Sequence, residues 1–281
     1  YQAQLYWGRK FGIHDVTAMG VFNRSERAQG SEFTNYREDW AFRATYNYDN
    51  RYMLEYNGAY NGSEKFSPDN RFAFFNSGAV GCNVANEKWF KPVSELQLFG
   101  RNIIDILKIR YSYGEIGEDS VWDRFLYQTQ WSYGGTTKLD STNPNSASPY
   151  TWYKESKVGN PNIHWEKAVK QNLGIDYSLL NGLIAGTLEF FHEKRSDIMI
   201  AGGNRAVPQY FGAQAPYMNK GRTKTTGYEL EMRLKYTFAN GLHAYANMNM
   251  THAKNVVLEH DDPAYLPDYQ KNAGFAIGQG K

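Results

Sequence analysis

The sequence predicts an all-β fold of long antiparallel strands, and two observations support that class. Apolar and polar side chains alternate over long segments, and the connections between these segments alternate between short and long. From Tyr228 to Phe238 the even positions are apolar or aromatic, and the odd positions are charged or polar. Because a β-strand directs successive side chains to opposite faces, this segment has one apolar face and one charged face.

The alternation defines ten strands that are longer than the five or six residues common in globular proteins. Their predicted ranges are 1–10, 14–24, 38–48, 51–62, 71–81, 105–115, 165–178, 183–195, 224–238 and 242–253. A tilted strand that crosses a membrane needs about 9–11 residues. Strand length and the two unlike faces therefore predict a transmembrane antiparallel up-and-down β-barrel, with the polar face toward the lumen.

The pleat of four further strands separates the side chains in the same way. The segment 71–81 is less regular, since Phe72, Phe74 and Phe75 cannot share one face. The residues predicted for the apolar face of the four regular strands are Tyr52, Leu54, Tyr56, Tyr60, Leu107, Ile109, Tyr111, Tyr113, Val169, Leu173, Ile175, Tyr177, Leu242, Ala244, Ala246, Met248 and Met250.

The connections support the same topology. Asn181-Gly182 and Asn240-Gly241 are the dipeptide that most favours a tight β-hairpin. Outer-membrane barrels have short periplasmic turns and long outer loops. Counting strands from these turns puts every long connection at the outer end, provided that 116–164 is a single outer excursion. Within the longest one, Phe125 to Tyr133 alternates and predicts one arm of a hairpin above the membrane. The long connections are 25–37, 63–70, 116–164, 196–223 and the segment from 254 onward, and 82–104 is an extended short-end turn.

Composition narrows the class without deciding it. The 281 residues include 22 Tyr, 16 Phe and 7 Trp, and Tyr and Trp favour the membrane–water interface. A soluble all-β protein with carbohydrate-binding loops has a similar composition. No run approaches the roughly 18 apolar residues of a transmembrane helix. The net charge of +2 is too small to indicate nucleic acid as a partner. A single cysteine, Cys82, excludes an internal disulfide and a multi-cysteine zinc site.

The sequence carries no enzyme signature. Nucleophile-elbow, His-Glu-x-x-His and Ser-x-x-Lys motifs are absent. We therefore predict no catalytic residue, no cofactor and no metal site. Two acidic segments are candidate cation sites, since hard cations bind clustered loop carboxylates. They are His260-Asp-Asp262 and the tip formed by Glu115, Glu118 and Asp119. A solvated polar loop is the favoured interpretation of 260–262.

Several local motifs occur in one order and spacing. They are Gly159-Asn-Pro-Asn-Ile-His-Trp-Glu-Lys167, Gln171-Asn-Leu-Gly-Ile-Asp-Tyr177, Phe190-Phe-His-Glu-Lys-Arg-Ser-Asp-Ile-Met199, Asn219-Lys-Gly-Arg222 and Thr226-Gly-Tyr-Glu-Leu230. As an ordered set they resemble the SusC/RagA family of TonB-dependent outer-membrane transporters, from about Tyr46 to Val257. One departure is Cys82, which stands where the family usually has Trp.

The resemblance implies a barrel of about 22 strands, of which this chain would supply about ten. Residues 1–281 would form part of one barrel domain, with the plug domain and the TonB box absent from this chain. The implied protein is a multi-pass active nutrient importer of the Gram-negative outer membrane, in contact with membrane lipid. Its implied partners are a SusD-like surface lipoprotein lid and the TonB complex, and its cargo is a glycan or an oligopeptide.

Two alternatives stay open at this point. One is a passive porin or structural barrel, and the other is a soluble all-β glycan-binding domain whose apolar faces pack sheet on sheet.

The candidate site is the group of aromatic residues in 116–164. Sugar rings stack on flat aromatic faces, whereas Trp and Tyr are also enriched at protein interfaces. Contact with cargo and contact with the lid or neighbouring loops are therefore both expected roles. The residues are Trp122, Trp131, Tyr150, Trp152 and Tyr153.

Overall fold

The computed structural model describes residues 1–98, 100–120, 123–137, 150–208, 210 and 212–278. Over these residues the secondary structure is almost entirely β. The strands are β1 (Gln2–Phe11), β2 (His14–Arg27), β3 (Asn35–Tyr48), β4 (Tyr52–Ser63), β5 (Phe72–Asn83), β6 (Gln97–Leu98), β7 (Arg101–Asn102), β8 (Ile104–Glu118), β9 (Gln130–Thr137), β10 (Tyr150–Lys157), β11 (Glu166–Leu179), β12 (Ile184–Ile200), β13 (Met218–Thr237) and β14 (His243–Glu259).

Within the described residues, helical structure is confined to single turns. The one α-helical turn described, α1, spans Lys91–Ser94 in the connection between β5 and β8. None of the described helices has the length and hydropathy needed to cross a membrane. The 3₁₀ turns are Pro68–Asn70, Val84–Asn86, Gly202–Asn204 and Asp268–Gln270.

Ten of the strands form one antiparallel sheet in the order β1-β2-β3-β4-β5-β8-β11-β12-β13-β14. Each strand therefore pairs with the next long strand along the chain, which confirms the predicted all-β, up-and-down arrangement. The remaining strands form two separate hairpins, β6–β7 and β9–β10. The sheet does not close on itself, since β1 and β14 are both edge strands.

The short turns lie together at one end of the sheet, which we call the short-turn end. Asp49 and Asn50 both have left-handed backbone angles, with φ of 50° and 53°, as a tight hairpin between right-twisted strands requires. The turn between β11 and β12 also uses left-handed residues, at Leu180, Asn181 and Gly182. The predicted short connections are thus present, although at Asn240-Gly241 only Gly241 has a left-handed backbone angle.

The opposite, long-loop end differs from the prediction in the extent of its strands. The pairs Ile200 with Met218 and Arg222 with Glu259 continue the sheet beyond the predicted strand ends. The predicted loop 196–223 is consequently reduced to residues 201–217. The predicted hairpin arm is also shifted, because Phe125 has a left-handed φ of 59° and lies in a turn before β9 begins at Gln130.

One face of the sheet is apolar and uncovered. The cross-strand pairs align Leu54, Val80, Tyr111, Leu173 and Phe190 in one row. These side chains are between 41% and 51% exposed, and no described element packs on them. Soluble proteins rarely expose a continuous apolar surface of this kind. The face is therefore suited to contact with an apolar environment. The structure also separates the three crowded phenylalanines, because Phe72 and Phe74 lie on this face whereas Phe75 is buried.

The other face is polar and is crossed by ion pairs. Arg110 on β8 pairs with Asp176 on β11 at 3.3 Å and also contacts Glu189 on β12. Asn172 donates a hydrogen bond of 2.7 Å to the same Glu189. Positive and negative side chains on this face thus pair with each other. Such a face is expected in a water-filled interior rather than in a dry core.

A small hydrophobic core lies at the long-loop end, not between sheets. Pairing between β5 and β8 stops at Ser77 and Gly114, and the strands diverge beyond it. Five buried side chains from separate segments form the cluster in this region, which we call the loop cluster. Its members are Phe66, Phe75, Leu126, Ile163 and Trp165.

Candidate functional site at the long-loop end

The structure places four of the five predicted site residues on the β9–β10 hairpin. Trp131 lies on β9, and Tyr150, Trp152 and Tyr153 lie on β10. All four side chains are exposed. Trp122 lies outside the described residues. The role of these residues stays a prediction.

The hairpin divides these aromatic residues between two faces. Tyr153 pairs with Tyr133, and their rings make an edge-to-face contact at 6.1 Å. Trp131 is two residues from Tyr133 and therefore shares its face. We call Trp131, Tyr133 and Tyr153 the aromatic face; these side chains are 62%, 60% and 63% exposed.

Trp152 lies on the opposite face of the hairpin. A register shift between Trp152 and Tyr153 leaves Gly134 without a partner, and the Trp152 ring lies where a Cβ of Gly134 would be. Glycine is therefore required at that bulge. Tyr150, two residues earlier, shares the face of Trp152. One flat partner thus cannot contact Trp131 and Trp152 simultaneously.

The base of the hairpin is anchored to the loop cluster. The Asn160 backbone N–H donates to the Leu126 carbonyl at 2.9 Å, and Gly159 N–H donates to Thr129 Oγ1 at 3.2 Å. Lys157 also forms an ion pair with Asp123. Because Leu126 is buried in the loop cluster, the hairpin stands on a packed base.

The motifs that carry the family resemblance join the outer loops. The Asn160 side chain donates to the Tyr217 carbonyl at 2.8 Å, and Trp165 Nε1 donates to the Arg71 carbonyl at 3.0 Å. The Asn219 side chain donates to the carbonyls of His164 and Asp197, at 2.8 and 2.7 Å. These residues therefore hold the loops in position.

A cavity of about 620 Å³ lies beside this junction, and the sequence does not predict it. Its wall is the polar face of β12 and β13, including Glu193, Arg195 and Thr225. Residues of 201–217 and of the segment after β14 complete it. Because the lining comes from several distant segments, no sequence motif marks the cavity.

The segment 260–262 differs from the predicted solvated loop. Asp261 is only 9% exposed, and its carboxylate accepts hydrogen bonds from Lys220, Arg205 and the Ala206 N–H at 2.6, 3.2 and 3.2 Å. Burial acts to raise the pKa of Asp261, but the hydrogen bonds from these groups outweigh it and hold the pKa below its usual value. The interpretation as a solvated loop is therefore wrong, because long-range partners bury the segment.

The predicted acidic tip is likewise engaged within the protein. Glu115 pairs with Lys167 at 2.7 Å, and Asp119 pairs with Arg37 at 3.1 Å. Within the ranges that the structure describes, no three His, Cys, Asp or Glu side chains are grouped to hold a metal ion. The absence of a resident metal or cofactor stays a prediction.

Comparisons with known proteins agree with the fold. The TonB-dependent receptor SusC of Bacteroides thetaiotaomicron is 28% identical over 245 residues, which are 85% of this chain and 22% of SusC. The TonB-dependent receptor P3 of Formosa agariphila is 25% identical over 80% of this chain and 21% of that protein. The chain thus spans about a fifth of these relatives.

Solved structures show the same architecture. A chain of the RagAB peptide importer in its closed-closed state superposes with a TM-score of 0.77 at 17% identity, over 98% of this chain and 32% of that one. The open-open state gives 0.74 at 18% identity, over 92% and 29%. At this identity the likeness concerns the fold alone.

The family model described as TonB dependent receptor-like, beta-barrel matches residues 102–278. That range contains β8, the β9–β10 hairpin, the loop junction and the four strands that follow. The chain therefore belongs to the TonB-dependent receptor β-barrel family and is a homologue of SusC.

Proposed function

We propose that this chain forms part of the barrel wall of an outer-membrane active importer. The importer takes up a glycan or an oligopeptide with energy delivered through TonB. The family consists of outer-membrane β-barrel receptors and transporters, not enzymes. The observation that carries the proposal is the sheet itself, which has an exposed apolar face and an ion-paired polar face. This arrangement suits strands with lipid on one side and a wet lumen on the other.

The two open edges support a larger barrel. A strand edge in lipid leaves unpaired backbone groups that cost several kcal/mol each. Edge strands β1 and β14 therefore call for further strands, and a closed barrel of about 22 strands provides them. Residues 1–281 would be one part of that domain, with the plug and the TonB box elsewhere in the protein. The short-turn end would face the periplasm, and the long-loop end would face outside.

The aromatic face is the proposed contact for a SusD-like lipoprotein lid. Trp131, Tyr133 and Tyr153 are exposed, close together and mounted on a packed base. Aromatic side chains in such positions commonly act as anchors of protein interfaces. Trp152 and Tyr150 lie on the opposite face of the hairpin. Their remaining role is contact with cargo or with neighbouring loops.

Uptake measurements in cells test the proposal. The full-length protein and its lipoprotein are expressed in a host with and without TonB, and uptake of labelled oligosaccharides and peptides is measured. An active importer loses uptake when TonB is deleted. Equal uptake in both strains would instead identify a passive porin and would contradict the proposal.

A further inference from the structure

Three lysines continue the apolar face of the sheet toward the long-loop end. On β12 and β13 the cross-strand pairs of that face include Phe190 with Tyr228 and, four residues further along, Lys194 with Lys224. On β14, Lys254 lies in the row between these two pairs. Because side chains alternate between faces and the register is unbroken here, the three lysines lie on the same side of the sheet as the apolar residues. We call Lys194, Lys224 and Lys254 the lysine patch.

The sheet gives the lysine patch no negative partner. Lys194 and Lys224 are direct cross-strand neighbours, and like charges in that position destabilise a strand pair. Their other cross-strand neighbours are Val169 and Val256. Among the described residues, no Asp or Glu lies within ion-pair distance of a patch lysine, and all three side chains are exposed. The repulsion between these lysines is therefore not balanced within the sheet.

The acidic groups nearby are engaged elsewhere. Glu115 of β8 lies on the same face, but its carboxylate pairs with Lys167 at 2.7 Å and accepts hydrogen bonds from Tyr113 and Asn76 at 3.0 and 2.8 Å. Within 184–196, 224–236 and 244–256, every acidic residue lies on the polar face of the sheet. These residues are Glu189, Glu193, Glu229 and Glu231.

The lysine patch lies at the depth expected for lipid headgroups. Tyr236 marks the short-turn end of the apolar face on β13, where the Arg101 guanidinium lies 5.5 Å from its ring centre. Lys224 comes twelve residues earlier, which is about 40 Å along a strand. A strand tilt of about 40° reduces this distance to about 30 Å across the membrane, against roughly 25 Å for the apolar band of such barrels. The patch therefore projects outward just beyond the hydrocarbon at the long-loop end.

We propose that the lysine patch binds the phosphate group of a membrane lipid in the outer leaflet. A phosphate supplies the missing negative charge, accepts charged hydrogen bonds from several ammonium groups and relieves the repulsion between Lys194 and Lys224. The adjoining Phe190 and Tyr228 face the acyl chains of the same lipid. This continuity with the apolar face favours a lipid over free phosphate or a protein. The inference rests on the proposed orientation in the outer membrane and is independent of active import and its cargo.

Native mass spectrometry of the full-length protein in a non-ionic detergent tests the proposal. The probes are diphosphorylated lipid A, the same lipid without phosphates, and inorganic phosphate. The wild type should prefer the phosphorylated lipid. The double variant Lys194→Gln/Lys224→Gln should bind it about 25-fold more weakly, because each lysine near a membrane surface contributes about fivefold. Inorganic phosphate at millimolar concentration should not displace the lipid.

Lys108→Gln/Lys235→Gln is the matched control, since it removes two positive charges from the polar face. Its lipid binding should equal that of the wild type. Lys194→Glu separates binding from folding, because a carboxylate opposite Lys224 forms a favourable cross-strand pair and yet repels phosphate. This variant should assemble as well as the wild type, by heat-modifiable gel migration, and should lose the preference for the phosphorylated lipid.

Three outcomes would overturn the proposal. They are equal lipid binding by the wild type and the double variant, an equal loss in the control pair, and displacement of the lipid by inorganic phosphate, which would indicate a site for free anions. Loss of lipoprotein capture with unchanged lipid binding would assign the lysines to a protein interface instead.

The uptake assay separates this inference from the proposed function. Uptake that is independent of TonB would contradict active import and leave the lipid site standing. Intact TonB-dependent uptake by a double variant whose lipid binding is unchanged would overturn the lipid site and leave the importer standing.

Discussion

The sheet and the long-loop end are stabilised in different ways. In the sheet, backbone pairing between neighbouring strands provides the order, while the apolar face stays exposed for an external apolar solvent. At the long-loop end, a buried cluster and long-range hydrogen bonds hold segments that are far apart in sequence. The membrane part of the protein thus depends on its surroundings, whereas the loop part has a core of its own.

Removing a side chain from the loop cluster should have the largest local effect. Phe66 is fully buried, and Phe66→Ala should cost about 3–5 kcal/mol of stability in the outer loops. Limited proteolysis should show new cleavage in 119–129 and 158–165, with barrel assembly retained. The exposed Tyr265→Ala serves as the control. Loss of barrel assembly together with the loops would show that the two regions are not independent.

Charge on the apolar face should damage the sheet instead. Leu230 pairs with Leu188 and Met250 on that face, and Leu230→Arg should cost about 2–4 kcal/mol near the membrane midplane. The measurement is the amount of assembled barrel in outer-membrane fractions. Glu231→Arg on the other face should be tolerated, and Met232→Leu should be silent. Equal tolerance of Arg at positions 230 and 231 would refute the assignment of faces.

The aromatic face should carry the contact with the lid. Trp131→Ala should weaken binding of the lipoprotein by about 2 kcal/mol, as truncation of an interface anchor does. Affinity is measured by capture of the lipoprotein on the purified barrel. Trp89→Ala is the control, because Trp89 is also exposed but lies at the short-turn end. Unchanged capture by Trp131→Ala would exclude this face as the docking surface.

The Asp261 contacts should produce the smallest effect, and one that depends on pH. The pKa of Asp261 in the folded protein is lowered. Its contribution to the stability of the loop is therefore complete at pH values above the ordinary aspartate pKa of about 3.9, and it is lost as the pH falls through the lowered pKa. Asp261→Asn should reduce hydrogen-exchange protection around Ala206 by about 1.5 kcal/mol at neutral pH. Asp268→Asn, at an exposed carboxylate, should not. Equal protection in both variants would contradict the role of Asp261.

The sequence predicts one region far better than the other, for a physical reason. A period of two is local, so the faces of residues such as Leu54 and Glu55 follow from neighbours in the chain. Phe66 and Ile163 lie in segments without periodicity. Their burial depends on the divergence of β5 and β8 beyond Ser77 and Gly114, which are distant in sequence. The partners of Asp261 are 41 and 56 residues away. The sequence also does not predict which aromatic residues of β9 and β10 share a face of the hairpin. That depends on the pairing of the two arms, whose register changes at the bulge at Gly134.

The most direct test of the central claim is the environment of successive residues on β13. Single cysteines are placed from 228 to 235 in a Cys82→Ser background of the full-length protein in membranes, and each is treated with a lipid-soluble and a water-soluble thiol reagent. The account predicts labelling with a period of two, in which even positions react with the lipid-soluble reagent and odd positions with the water-soluble one. Labelling without that period, or with the two sets exchanged, would contradict a membrane-spanning sheet with this orientation.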